Sequence, residues 1–199
     1  MSYDREKILA RRLNDFLVND LGTEDSDYYI KMDLQALLKL KTVLSDINNI
    51  VTMKLTLAFV DWLSEKLCWN EIEKSAVLKG IYSTKPNTNG FDLEANVGTI
   101  PIIAEVKCNI PVNGGDSYGA AQKAGILKDI ISLLNGKSKS SMNSSRCLKF
   151  MVFAQLPEVM AATEKLISTR KDFEGIVSIC SNETKLNNCD KIYVVFINM

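Results

Sequence analysis

The chain contains no histidine. That absence excludes Ser-His-Asp and Cys-His triads, His-ligated zinc and every nuclease that works through an imidazole, so chemistry here must rest on carboxylates, lysine or a thiol. Cysteine is sparse: Cys68, Cys108, Cys147, Cys180 and Cys189 are odd in number, widely spaced and without a C-x-x-C pair. Such a set offers neither a disulfide framework nor a zinc motif, and reduced thiols are expected. The opening Met-Ser-Tyr-Asp-Arg-Glu-Lys lacks the apolar core of a signal peptide. No uninterrupted apolar run approaches the roughly 20 residues needed to span a bilayer. A cytoplasmic location without a membrane partner is the expectation. An excess of either charge is also missing, since 24 Lys and Arg balance 24 Asp and Glu, and a neutral chain exerts no long-range pull on a polyanion.

What is present suits one globular domain: 199 residues, 46% hydrophobic and 24% charged, are enough for a well-buried core. Ile8, Leu9, Leu13, Phe16 and Leu17 recur at helical spacing over about 3–21, ended by Gly22 and followed by an acidic, solvent-facing loop at 23–27. Asp33 is placed to cap a second helix carrying Leu34, Leu37, Leu38, Leu40 and Val43. A third, apolar around much of its circumference, spans about 48–69, and a short fourth starts at Asn70 and stops at Gly80. Residues 1–80 thus read as an all-helical part.

A loop of Ser, Thr, Pro, Asn and Gly follows at 83–90. Beyond it, in the sheet-containing part at 81–199, strand-like runs occupy 91–95, 100–108, 148–155, 176–179 and 192–197, with helices at about 117–134 and 157–168. The Ser- and Lys-rich linker 135–146 is expected to be mobile. The class is α/β (α+β), a central mixed sheet flanked by helices.

Charges stand where apolar strands should have none: Asp92 in the first run, Glu105 and Lys107 in the second. Side chains alternate along a strand, so Asp92 and Glu94 share one face, and Ile103, Glu105 and Lys107 share one. An even-numbered turn centred on Val97-Gly98 pairs Asp92 with Ile103 and leaves Glu105 on its diagonal, about 7 Å away between backbones. An odd turn would send Asp92 to the opposite face. Two carboxylates so placed, with a neighbouring backbone carbonyl, suit Mg²⁺, which binds through one or two carboxylates and keeps several waters. The competing interpretation is an exposed cross-strand ion pair on a solvated sheet face, which contributes little.

Asp92, twelve intervening residues, then Glu105-Val106-Lys107 at the end of an apolar strand resembles the signature of the PD-(D/E)xK nuclease superfamily, with Phe91 where that motif carries proline. The resemblance implies a restriction-endonuclease-like core: a helix, a three-stranded meander, a helix and a further strand. It implies Asp92 and Glu105 as metal ligands, the Val106 carbonyl as a further metal contact, Lys107 as the catalytic lysine and Mg²⁺ as cofactor. Glu65 on the preceding helix and Gln122 early in the following one are accessory candidates. The implied activity is hydrolysis of phosphodiester bonds in double-stranded DNA by an endonuclease of the type II restriction kind, acting as a homodimer. A repair or mobile-element nuclease, or a non-catalytic nucleic-acid-binding module, are the alternatives.

In the basic segment after the hairpin Lys123, Lys128, Lys137, Lys139, Arg146 and Lys149 face one acid, Asp129, and its linker reads either as a flexible solvated loop or as a DNA-contacting arm. Lys123, Lys137, Lys139 and Arg146 are the DNA-contact candidates. Gly136-Lys137-Ser138 ends like a phosphate-binding loop but follows a helix, not a strand, and lacks the first glycine.

Overall fold

The computed structural model of the protein describes residues 4–84, 90–112 and 115–199. The expected loop at 83–90 therefore lies largely outside the described residues. The chain divides into two compact units, Met1–Ile47 and Asn48–Met199.

In the first unit, α1 (Arg5–Asp15) is capped by Asp4, whose side chain accepts from the Lys7 N–H. A π-helical turn, Phe16–Asp20, extends it. Gly22 then takes a positive φ of 65°, which ends the helix. The acidic loop is tied back to α1: the Asn14 amide donates to Asp27 at 2.9 Å, the Tyr29 N–H donates to Asn14, and the Tyr29 hydroxyl donates to Glu6 at 2.7 Å. Asp27 is thus a bonded turn residue rather than a free surface acid. The Asn14 amide and the Ile30 N–H hold its carboxyl below the usual range.

Helix α2 runs unbroken over Leu34–Lys66, where the sequence suggests two helices. Asp33 caps it as expected, accepting from the Ala36 N–H at 2.7 Å. Ser45, Asp46, Asn48 and Asn49 are mediocre helix formers, but no Gly or Pro breaks the hydrogen-bond ladder there. By length and composition α2 is long and apolar enough to cross a membrane, although its part within the second unit is a core helix. It ends in a Schellman motif: the Trp69 N–H donates to the Ser64 carbonyl at 2.9 Å and the Cys68 N–H to Glu65, with Cys68 at a φ of 54°. Helix α3 (Glu71–Ser83) opens with a capping box between Asn70 and Glu73. It continues through Gly80, which costs a helix only about 1 kcal/mol.

Five strands follow: β1 (Leu93–Val97), β2 (Ile100–Lys107), β3 (Leu148–Ala154), β4 (Val177–Ile179) and β5 (Ile192–Ile197), in the order β1-β2-β3-β5-β4. Only β1 and β2 are antiparallel; the rest pair in parallel. The antiparallel part therefore has two strands among the described residues, not the three of a meander. Helices cover both faces. Leu55, Phe59, Val60 and Leu63 of α2, with α3, pack on Leu93, Ala95, Ile102, Ala104 and Val106. On the other face α4 (Ala120–Asn135) and α5 (Pro157–Ser168) pack Ile126, Ile130, Leu133, Val159 and Ala162 against Ile103, Met151 and Val194. Burial on both faces explains why β3 reads as an apolar run from Phe150 to Ala154.

The linker after α4 is fixed rather than loose. The Ser144 hydroxyl donates to the Leu134 carbonyl at 3.1 Å, Ser144 is buried, and residues Ser144–Arg146 form a 3₁₀ turn. Polar residues suggest mobility only until their partners are known.

Candidate active site

The hairpin turn consists of Gly98 and Thr99, one position later than the sequence suggests, because Val97 pairs with Ile100 and Leu93 with Ala104. Gly98 takes a φ of 58°, the requirement that selects glycine at the first central position of a two-residue hairpin turn. Moving an even turn by one position shifts the pairing by two residues, so each side chain keeps its face. Continuing the register by one residue puts Asp92 level with Glu105 itself rather than on its diagonal. Asp92 lies just before β1 and uses one oxygen to finish the sheet edge, accepting from the Val106 N–H at 2.8 Å. The N–H and C=O of one strand residue point to the same side, so the Val106 carbonyl faces that edge too.

Glu105 is 3% exposed, which removes it from any solvated sheet face. Its Oε1 atom is buried without an aligned hydrogen-bond donor, although the Lys137 ammonium meets the same oxygen as an ion pair. Burial, reinforced by the charge of Asp92, pushes the Glu105 carboxyl up to about 7, against the pull of Lys137. Asp92 keeps an edge open to solvent, yet the protein massed around it also raises its carboxyl. The Val106 N–H, Lys107 and Lys137 oppose that rise. Lys107 forms an ion pair with Asp129 of α4, and both side chains are largely buried.

The cluster thus holds Asp92, Glu105 and Lys107 together and adds Asp129 and Lys137. Asp129 is visible in the sequence as the single acid of a basic segment, beside the buried Ile126-Ile130-Leu133 stripe. Lys137 is named there as a DNA contact, but its ammonium instead turns inward to Glu105 and to the Gly90 carbonyl at 2.9 Å.

No family model, curated protein or solved structure matches this chain.

The remaining candidates lie elsewhere. Glu65 is exposed on α2, the helix that packs on the opposite face of the sheet, and the structure does not bring it to the carboxylates. Gln122 is committed to structure: its carbonyl accepts from the Gly119 N–H at 2.9 Å and its amide donates to the Ile110 carbonyl at 2.7 Å. Lys123, Lys139 and Arg146 are exposed. Lys139 lines a cleft of about 770 Å³ together with Gly80, Ile81, Asp92 and Glu94, so this opening reaches Asp92 but not Glu105.

Among the described residues no three His, Cys, Asp or Glu side chains converge as a metal cage. Mg²⁺ does not need one. The adjacent Asp92 and Glu105 carboxylates and the edge-facing Val106 carbonyl fit its preference for a few hard oxygens completed by water.

Proposed function

We propose that the protein is a Mg²⁺-dependent DNA endonuclease that resembles the PD-(D/E)xK superfamily, and that it cuts a specific double-stranded sequence in the manner of type II restriction enzymes. The observation that carries this reading is the buried Glu105, whose Oε1 meets the Lys137 ammonium, level with Asp92 on a hairpin whose next inward charge is Lys107. A buried acid held beside a second one is unfavourable unless a cation joins them. Asp92 and Glu105 would hold Mg²⁺ with the Val106 carbonyl. When bound, the ion supplies charge neutralisation at the scissile phosphate and lowers the pKa of a coordinated water. Lys107, held in place by Asp129, would orient that water or stabilise developing negative charge. Exposed Lys123, Lys139 and Arg146 would meet the DNA backbone. Symmetric cutting of both strands asks for a homodimer, which supplies two copies of the site related by a two-fold axis.

One observation favours a second reading, a non-catalytic nucleic-acid-binding module: both lysines of the cluster already have carboxylate partners. Incubation with phage and plasmid DNA, with and without Mg²⁺, separates the readings. Discrete Mg²⁺-dependent fragments, lost in Asp92→Ala and Glu105→Ala, support the restriction enzyme. Nicks or smears indicate a structure-directed repair or mobile-element nuclease. Retention of DNA without cleavage leaves the binding module.

A further inference from the structure

Lys137 occupies the place where a cation would be most useful. It follows Gly136, which closes α4 with a positive φ of 85° and so turns the chain back toward the hairpin. Three groups receive its ammonium: Glu105 Oε1, the Gly90 carbonyl at 2.9 Å and the face of the Phe91 ring, 5.0 Å from its centroid. An anion, a carbonyl dipole and an aromatic face are each a cation's partner. Together they form a small cation receptor built from the chain immediately around Asp92.

We propose that Lys137 is the resident counter-ion of the carboxylate pair, and that a divalent cation binds by displacing its ammonium from Glu105. The inference rests on the metal-dependent reading above. Charge balance favours the exchange. Asp92, Glu105 and Asp129 set three negative charges against Lys107 and Lys137, leaving one uncompensated. A divalent cation in place of the Lys137 ammonium neutralises the cluster. The ammonium has a route out, because the Lys137 side chain is 23% exposed and belongs to a loop rather than to α4, so it can swing toward solvent while Gly136 and Ser144 keep the backbone fixed. An internal cation also protects the folded protein when no metal is bound, since two acids packed together with no positive charge would repel.

Mn²⁺ titration of the intact protein without DNA, followed by calorimetry, tests this. Lys137→Gln and Lys137→Met are expected to bind Mn²⁺ at least about tenfold more tightly than the wild type, the gain that follows from removing an internal competitor which holds the site most of the time. Lys137→Arg, which keeps the charge, is expected to show no gain. Equal or weaker binding by the uncharged variants, with binding lost in Glu105→Gln, overturns the inference and leaves the metal site intact. Absence of Mn²⁺ binding in every protein overturns both. Should the uncharged variants fail to fold, carbon NMR of the wild-type lysines gives the answer. Mg²⁺ is expected to move the Lys137 Cε resonance to the position of an exposed lysine, and an unmoved resonance under saturating Mg²⁺ overturns the proposal.

Discussion

At the scale of single residues, Glu105 joins stability to pH. Its carboxyl lies at about 7 in the folded chain against an ordinary value of 4.5, so the folded state holds this proton more tightly than the unfolded state. A raised acid contributes stability that is complete below its unfolded pKa and is lost as pH rises through its folded one. Unfolding free energy is therefore expected to fall by roughly 3 kcal/mol from this group between about pH 4.5 and 7.5. Glu105→Gln removes the titration, and urea unfolding across that range should give a flatter profile than the wild type. A slope unchanged in the variant would show that other groups set the pH response. That an even turn puts Asp92 and Glu105 on one sheet face was legible in the sequence from strand alternation, but their level pairing was not, because the turn sits one position later than expected. Nor were their partners. Lys137 reaches Gly90 across 47 residues, and nothing in the composition of a Ser- and Lys-rich linker says that one of its lysines turns inward.

Elements show where local signals sufficed and where they failed. The strands were readable because apolar runs bounded by Gly and Ser have few alternatives, and α5 because Pro157 marks its first turn. The gap expected inside α2 failed for an energetic reason: a few Asn and Asp residues disfavour a helix by tenths of a kcal/mol each, less than continuity returns. Gly80 misled in the same way, as a tolerated interior glycine rather than a stop. The end of α2 carries a testable cost. Cys68 adopts a left-handed conformation that a side chain resists by roughly 1–2 kcal/mol, and glycine adopts it freely. Cys68→Gly is expected to stabilise the protein by about 1 kcal/mol in chemical denaturation, after allowing for glycine's greater freedom in the unfolded chain. The hairpin gives the opposite kind of test. One glycine inserted between Gly98 and Thr99 makes the loop odd, and a one-residue slip turns Asp92 away from Glu105. Metal binding should be lost with the far-ultraviolet circular dichroism spectrum kept. Retained binding would show that a bulge absorbs the extra residue.

For the whole molecule, burial is unevenly shared. Among the described residues every buried hydrophobic one belongs to the unit Asn48–Met199, beginning with Leu55, and no described side chain of residues 4–47 is buried. The unit Met1–Ile47 instead leaves Leu9, Phe16, Leu21, Ile30, Leu34 and Leu38 exposed. A chain lacking residues 1–33 is therefore expected to unfold within a few degrees of the full-length protein in a thermal melt followed by circular dichroism. A collapse of the transition would show that the helical N-terminus supports the sheet. The chain order of the site has a consequence during synthesis. Asp92 and Val106, 14 residues apart, can meet as soon as the hairpin has left the ribosome, whereas Lys137 and β3 emerge later. The two acids thus first approach one another in water, where screening makes their repulsion slight. Glu105 loses that water only when α4 docks, and it brings Lys137 behind it. The chain delivers the counter-charge together with the burial that makes it necessary.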